Sequence, residues 1–381
     1  MNLSLDDRQN ELIQMVRDLA QQEIMPYLSR KDGWASVDFD WHLVKKLGEH
    51  NLICPTIPAE YGGLGLDMFT TVLLMEELSV ASRGLSSIVS ANIDAVQPIL
   101  LAGTARQKEA VLPRLTGGNA CLAAFAVTEP TGGSDTGAMN TFAERDGDWF
   151  TINGCKDYIV NAAEAGIITL FAVTSRQRKK SSMRCFIVRK DTPGVEIGKI
   201  HQMAVIHHAR IAEIIFHDAR VDGDYAIKPD EPYSGYFLLN QTLGTGRALT
   251  AACSVGIARA AYDIANQFTD ERIQFGRKIK KHQAIAHTLV DMATKIEMAR
   301  LMTWKAAWLI DNGDDYTIAS AMAKLCASII AQEVTGTAAD ILASRALEKD
   351  SRMGELLSEA RAQSTIGGTN NIQRDLIASS L

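Results

Sequence analysis

The chain has 381 residues, 46% of them hydrophobic and 22% charged, with a formal net charge of −6. That length implies two or three domains and a core large enough to fold without disulfides or metals. The composition excludes a disordered, collagen-like or low-complexity chain, and the net negative charge argues against nucleic acid as a partner. No run approaches ~18 uninterrupted apolar residues, so no membrane span is expected.

The opening segment, MNLSLDDRQNELIQ, is acidic and polar and lacks the basic start and apolar run of a secretory signal. Six scattered cysteines (Cys54, Cys121, Cys155, Cys185, Cys253 and Cys326) show no CxxC spacing. Together these features predict reduced thiols and a cytoplasmic location.

Residues 1–118 read as helical. Ser4 and Asp7 suggest a helix start, and Leu12, Val16 and Leu19 share one face until Pro26, which should end the helix. The turn-rich stretch Glu60-Tyr61-Gly62-Gly63-Leu64-Gly65 precedes helical patterns at 68–82 and 86–101. Residues 119–230 change to strand character: Trp149–Asn153 running into a turn at Gly154, then Ile167–Val173, Cys185–Val188 and Glu213–Phe216. A small sandwich or barrel is predicted there. Residues 231–381 return to helices, with an apolar stripe through Ile285, Leu289, Met292, Ile296 and Ala299. A turn at 311–315 and another long helix over 316–343 follow. The order α, β, α defines an α+β multidomain fold that ends in a four-helix bundle.

Four segments carry a resemblance. Ala126-Val127-Thr128-Glu129-Pro130-Thr131-Gly132-Gly133-Ser134-Asp135 is similar to the flavin-loop signature of the acyl-CoA dehydrogenase family. The stretch Tyr61–Leu66 resembles that family's YGGLG turn. Arg272–Gly276 with Gln283 resembles its RxxFG…Q segment, and Gly368–Arg374 its GT-x-x-IQR segment. The resemblance spans nearly the whole chain and implies FAD as cofactor, an acyl-CoA substrate, electron-transferring flavoprotein as acceptor and a homotetramer. It implies that Phe125, Val127, Thr128, Tyr158 and Val160 lie against the flavin, with Tyr158 where many relatives have Trp and Val160 where they have Thr. Ser134 would contact flavin or the thioester arm. Arg272, Gln274 and Phe275 would reach the FAD of a neighbouring subunit, Gly368 and Thr369 would let the backbone approach the cofactor's adenosine side closely, and Gln283 and Asn371 would also bind the cofactor.

The chemistry of the resemblance needs a glutamate base, and the sequence lacks it at both places the family uses. Gly367 stands before the Gly-Thr pair and Gly246 stands before Arg247. Gly244 replaces an Asp nearby, and the family's QxxGG stretch is Asp340-Ile341-Leu342-Ala343-Ser344. A substitute base is predicted at Asp94, which aligns with an apolar pocket position and is surrounded by Ile88, Val89, Ile93, Ala95 and Val96. Burial there would raise its pKa and its strength as a base; the competing reading is a solvent-facing Asp on an amphipathic helix. Ser90, one turn earlier, would face the same pocket, and Arg83 and Asn92 would be polar partners. Ser90, Ser134, Gly246, Arg247 and Gly367 are thus the candidate substrate-binding residues. The predicted reaction converts cyclohex-1-ene-1-carboxyl-CoA to the 1,5-diene. A desulfinase using Arg83 as anion ligand, a flavin-dependent oxygenase and a non-catalytic homologue are the alternatives. No metal site is expected, because His207 and His208 are adjacent and lack a second ligand at metal spacing.

Overall fold

The computed structural model describes residues 4–30, 39–228, 231, 233–348 and 351–381. The boundary placed after residue 230 falls outside these.

Helices come first in the chain. They are α1 (Asp7–Leu19), α2 (Met25–Arg30), α3 (Trp41–Glu49), α4 (Met68–Ala81), α5 (Arg83–Ala102) and α6 (Ala105–Val111). The first helix is capped by Asp6 rather than started at Ser4: Asp6 Oδ1 accepts from Gln9 N, and Gln9 Oε1 accepts from Asp6 N. A carboxylate two residues along and a glutamine at the third helical position form the better capping box. Pro26 does not end the helical run. A π-turn at Ala20–Ile24 takes up the register before α2, and Pro26 sits in the first turn of α2, where no intrahelical donor is needed.

The strands of the central domain are hydrogen-bonded into one eight-stranded mixed sheet. Its strands are β1 (Leu122–Ala126), β2 (Phe142–Asp146), β3 (Trp149–Val160), β4 (Ala165–Val173), β5 (Met183–Arg189), β6 (Val195–His201), β7 (Ile211–Asp222) and β8 (Ala226–Ile227), with a short helix, α7 (Lys179–Ser182), before β5. The strand order is β6-β7-β3-β2-β4-β5-β8, with β1 parallel to β4. Gly154 does not end its strand. It takes a φ of +149° and marks a register shift, so β3 bulges and continues to Val160. Phe150, Ile152, Ile168, Leu170, Phe186, Ile214 and Phe216 fill a core belonging to this domain alone.

The C-terminal helices are α8 (Ser234–Glu271), α9 (Gln283–Asp311), α10 (Thr317–Leu342), α11 (Arg352–Ala362) and α12 (Asn370–Ala378), with the hairpin β9 (Ile273–Gln274) and β10 (Arg277–Lys278) between α8 and α9. Helices α5 and α10 are long and apolar enough to cross a membrane, yet 67% and 44% of their most apolar windows are buried inside the protein. All six cysteines are free thiols.

Two sets of polar contacts fix α4 and α5, on which the site depends. Glu76 and Glu77 of α4 are nearly buried and pair with Arg17 of α1, Arg259 of α8 and Arg300 of α9. Asn92 of α5 accepts from Ala123 N at 2.6 Å and donates to Ile88 O at 2.7 Å. Thr169 of β4 donates to Ala95 O at 2.6 Å. Helix α5 is thereby bolted to β1 and β4.

Candidate active site

Position 94 lies in the middle of α5, with Ile88, Val89, Ile93, Ala95 and Val96 all buried around it. Pro98 follows one turn later. Having no N–H, it cannot supply the helical bond to the carbonyl of Asp94, so the turn that carries this side chain is opened at its backbone. The Oδ1 atom of Asp94 is enclosed and has no hydrogen-bond partner. Burial pushes the carboxyl up to about 7. The Asp is therefore not on a solvent face.

Helix α8 faces it. A Cβ built on Gly246 would stand 2.9 Å from Asp94 Oδ1 and 3.3 Å from Oδ2. One turn on, Thr250 Oγ1 donates to Gly246 O at 2.9 Å, and a Cβ on Gly367 would lie 3.0 Å from that same Thr250 oxygen. Both glycines that stand in place of a base thus flank one turn of α8, and Asp94 occupies the space beside the first. Gly367 and Gly368 both have positive φ, +67° and +88°, the region that favours glycine.

Ser90 lies one turn before Asp94, with an enclosed Oγ that has no partner. Arg247 is buried, and its Nε is without a partner; burial lowers its pKa. Lys324 of α10, a residue that sequence reasoning missed, is fully buried beside these groups. It donates to Gly368 O at 2.7 Å and Asn370 Oδ1 at 2.9 Å, and burial with the nearby Arg247 charge lowers it to about 7.

Neither proposed partner of Asp94 serves as one. Asn92 is spent on Ala123 and Ile88, as above. Arg83, at the first turn of α5, is buried and donates to Ser86 and Ser87 within that turn, at 3.2 and 2.6 Å; it faces Glu359 of α11. The Arg83 Nε is buried without a hydrogen-bond partner.

The residues of the flavin loop form a shelf on the β-domain. Val127 is buried, Phe125 is half-buried edge-on to Phe171 at 5.6 Å, and Tyr158 stands 56% exposed beside them at a bulge of β3. Asp157 N donates to Thr128 O at 2.9 Å, so the loop and the strand carrying Tyr158 are tied. A Cβ on Gly133 would come within 3.2 Å of Thr128, which explains glycine at that turn. A half-exposed aromatic next to an apolar floor fits a flavin ring, which needs an apolar slot edged by a few polar groups. Val160 pairs with Ile211 at the end of β3, and Ser134 is exposed in the loop.

Sequence reasoning also missed His201, whose ring stacks on Tyr158 at 4.3 Å with an angle of 6°. Its Nε2 lies 2.6 Å from Asp157 Oδ1, and Glu213 joins them in a cluster spanning no more than 4.8 Å between ligand atoms. The bulges in β3 and β6 lie on either side of Glu213 and aim the other two side chains at it. His207 and His208 lie in the loop before β7, His208 with a φ of +71°.

Arg272, Gln274, Phe275 and Gln283 are not brought to the shelf. They are exposed at the far end of α8, and Phe275 is 95% exposed. At ~1.5 Å per residue, Arg272 stands roughly 39 Å along α8 from Gly246. Thr369 caps α12 through Ile372 N at 3.3 Å, and Asn371 is exposed on its first turn.

A helical domain, a β-domain and a helical bundle follow one another along the chain, and the comparisons with known proteins give this arrangement its class. The chain matches the acyl-CoA dehydrogenase N-terminal domain over residues 6–119, the middle domain over 124–219 and the C-terminal domain over 234–381. It is 36% identical to a mitochondrial short-chain specific acyl-CoA dehydrogenase of Bos taurus, covering 100% of this chain and 91% of that one. It is 35% identical to a cyclohex-1-ene-1-carbonyl-CoA dehydrogenase of Geobacter metallireducens, covering 97% of each. The butyryl-CoA dehydrogenase structure from Megasphaera elsdenii superposes with a TM-score of 0.94 at 30% identity, over 100% of this chain and 99% of that one. The protein belongs to the acyl-CoA dehydrogenase family, and FAD-dependent dehydrogenation of an acyl-CoA is its reaction.

Proposed function

We propose that the substrate is an acyl-CoA that already carries a ring double bond, of the cyclohex-1-ene-1-carboxyl-CoA type, and that Asp94 removes the proton. The observation that carries this reading is the contact between Asp94 Oδ1 and the space a Cβ at position 246 would fill. A glutamate there and Asp94 compete for one volume, so Asp94 takes the place of the missing base rather than standing apart from it.

The chemistry explains why the flavin loop is kept while the base has moved. In a saturated thioester the proton leaves the α-carbon and the hydride the β-carbon. In a cyclohex-1-ene thioester the α-carbon, C1, has no hydrogen. Conjugation instead acidifies C3, two carbons along, because charge left there is shared with C1 and the thioester oxygen. Loss of the C3 proton to Asp94 leaves that charge available at C1. Departure of hydride from C6, which is bonded to C1, then forms the C1–C6 double bond beside a C2–C3 double bond. The product is the conjugated 1,5-diene, one proton and one hydride poorer. Bound FAD supplies the hydride acceptor. Only the proton's position differs from the saturated case, so only the base is displaced.

The protein's own groups divide the remaining tasks. A carboxyl near 7 is ionised in half its copies at neutral pH and is a stronger base than an exposed aspartate. Gly246 makes room for the Asp94 carboxyl, and Gly367 keeps a side chain off the Thr250 hydroxyl on the same α8 turn. Helix α5 cannot drift, because Asn92 and Thr169 tie it to β1 and β4. The relative from Geobacter metallireducens, named for this ring substrate, supports the reading. A structural relative at 34% identity and a TM-score of 0.94 comes from a study of the electron transferring flavoprotein of Acidaminococcus fermentans; an electron-transferring flavoprotein is accordingly the proposed acceptor. Exposed Phe275 and Ile273, beyond reach of their own shelf, suit a neighbouring subunit's cofactor and hence a homotetramer.

Anaerobic mixing with a panel of acyl-CoAs tests the assignment through the flavin absorption band. Bleaching with cyclohex-1-ene-1-carboxyl-CoA and not with butyryl- or octanoyl-CoA is expected. Equal bleaching by the saturated straight chains overturns it.

A further inference from the structure

One cation in the β-domain is completely enclosed. Lys156, two residues before Tyr158 on β3, has no exposed side-chain surface. Its Nζ donates to Val127 O at 2.9 Å and to Glu129 Oε1 at 2.9 Å. Glu129 is itself saturated. Its Oε1 accepts from Thr141 N at 2.9 Å and Thr141 Oγ1 at 2.7 Å, and its Oε2 accepts from Asn140 N at 2.7 Å. The Thr141 end of the loop therefore closes on the Glu129 carboxylate, Lys156 joins that carboxylate to Val127 O, and Asp157 N holds Thr128 O from the neighbouring strand position.

The peptide geometry extends the consequence outward. In a trans peptide the C=O and N–H point in opposite directions. With Val127 O turned inward onto Lys156, the N–H of Thr128 is turned outward, toward the shelf side. Rotating the Val127–Thr128 peptide would break the Lys156 bond and swing that donor away. The geometry points to Lys156 as a positioning residue for FAD: by holding Val127 O and Glu129, it sets the Val127–Thr128 peptide in the orientation that receives the flavin. Lys156 does not touch the cofactor; it acts through the loop. Burial lowers its pKa to about 8, and the only titratable groups that act on it among the described residues are Glu129 and its chain neighbour Cys155. At neutral pH it is the cation of the pair.

A purely architectural ion pair would also matter for folding, so the test separates the two roles. The holoenzyme is compared with Lys156→Met, Glu129→Gln and the double variant. FAD dissociation on dilution is read by flavin fluorescence, and thermal unfolding of the FAD-stripped proteins is measured alongside. Lys156→Met should raise the FAD dissociation constant at least tenfold and lower the unfolding midpoint, because Glu129 is left buried without its cation. In the double variant no carboxylate is left unpaired. Its midpoint should recover toward wild type while the dissociation constant stays at least tenfold raised. A double variant that binds FAD within threefold of wild type overturns the proposal. Should Lys156→Met alone fail to fold, the double variant carries the test.

Discussion

In the β-domain, Glu129, Lys156 and Thr141 satisfy one another's buried polar atoms, whereas on α5 and α8 Asp94, Ser90 and Arg247 each keep a buried polar atom without a partner. The two regions lie in one protein of ordinary packing, so the difference is not one of quality. A buried donor or acceptor left unpaired costs about 1–3 kcal/mol. Such a cost persists where a bound molecule supplies the missing partner or where reactivity needs the strain. The saturated region belongs to the loop proposed to receive the cofactor. The unsaturated region meets a substrate that comes and goes, and it is also where the sequence departs from its family.

The sharpest way to break this contrast is to neutralise the unpaired carboxylate. Asp94→Asn should reduce turnover of the cyclic enoyl thioester about 10³-fold, within the range for loss of a general base. Its flavin absorption spectrum should stay unchanged, since Asp94 takes no part in the shelf. Stopped-flow bleaching measures the first and a static spectrum the second; retained turnover would place the base elsewhere.

Putting a carboxylate back at the family's position tests whether the two occupy one volume. Gly246→Glu should lower turnover of the ring substrate about 10²-fold, because its Cβ meets Asp94 Oδ1. Combined with Asp94→Ala, the same change should give measurable bleaching with butyryl-CoA. Steady-state assays on both substrates decide it.

Acidity gives a middle-sized effect with two faces. With a carboxyl near 7, kcat/KM should fall about tenfold per unit as pH drops below 7 and level off above it. For folding the sign is reversed. A folded pKa raised above the ordinary 3.8 stabilises the protein fully below about 4 and loses that contribution as pH rises through about 7. Asp94→Asn has no such loss, so without substrate at pH 8 it should be roughly 1–3 kcal/mol more stable than wild type. Urea unfolding at pH 5 and pH 8 reads the difference.

The smallest expected effect concerns another departure from the family. Ala343 stands where the QxxGG stretch has its first glycine and holds a φ of +54° just past α10. Ala343→Gly should raise stability by about 1 kcal/mol at most by removing a strained Cβ, measured as a rise in unfolding midpoint.

Much of the fold was legible because its signals are local. Helical periodicity located α4, α5 and α10, and strand composition located β4 and β5. The misreadings came from places where local rules meet non-local contacts. Pro26 could be absorbed only because a π-turn precedes it, and Gly154 continues its strand because β7 pairs on both sides of the bulge. In the site, Asp94 was readable as a charge in an apolar run. Asn92 and Arg83 were not readable as spent on other partners, because those partners include Ala123 on β1 and Glu359 on α11. Lys324 and His201 carried no signal. A lysine in a helix and a histidine in a strand are ordinary until a distant carbonyl or ring is brought against them. Pro98, one turn after Asp94, was a signal that went unused.

By itself the sequence determined the α, β, α order, the family, the cofactor and the absence of glutamate at both usual positions. These follow from residue identity, periodicity and motif, which are properties of a string. The tertiary structure alone decided that Asp94 and Gly367 are brought against the Gly246–Thr250 turn of α8, and that Lys156 is buried against Val127 O and Glu129. Such facts depend on residues from different elements, in the case of Asp94 and Gly246 over a hundred positions apart, meeting within a few ångströms. Burial and hydrogen-bond saturation, which set a group's charge and reactivity, exist only once that meeting has occurred.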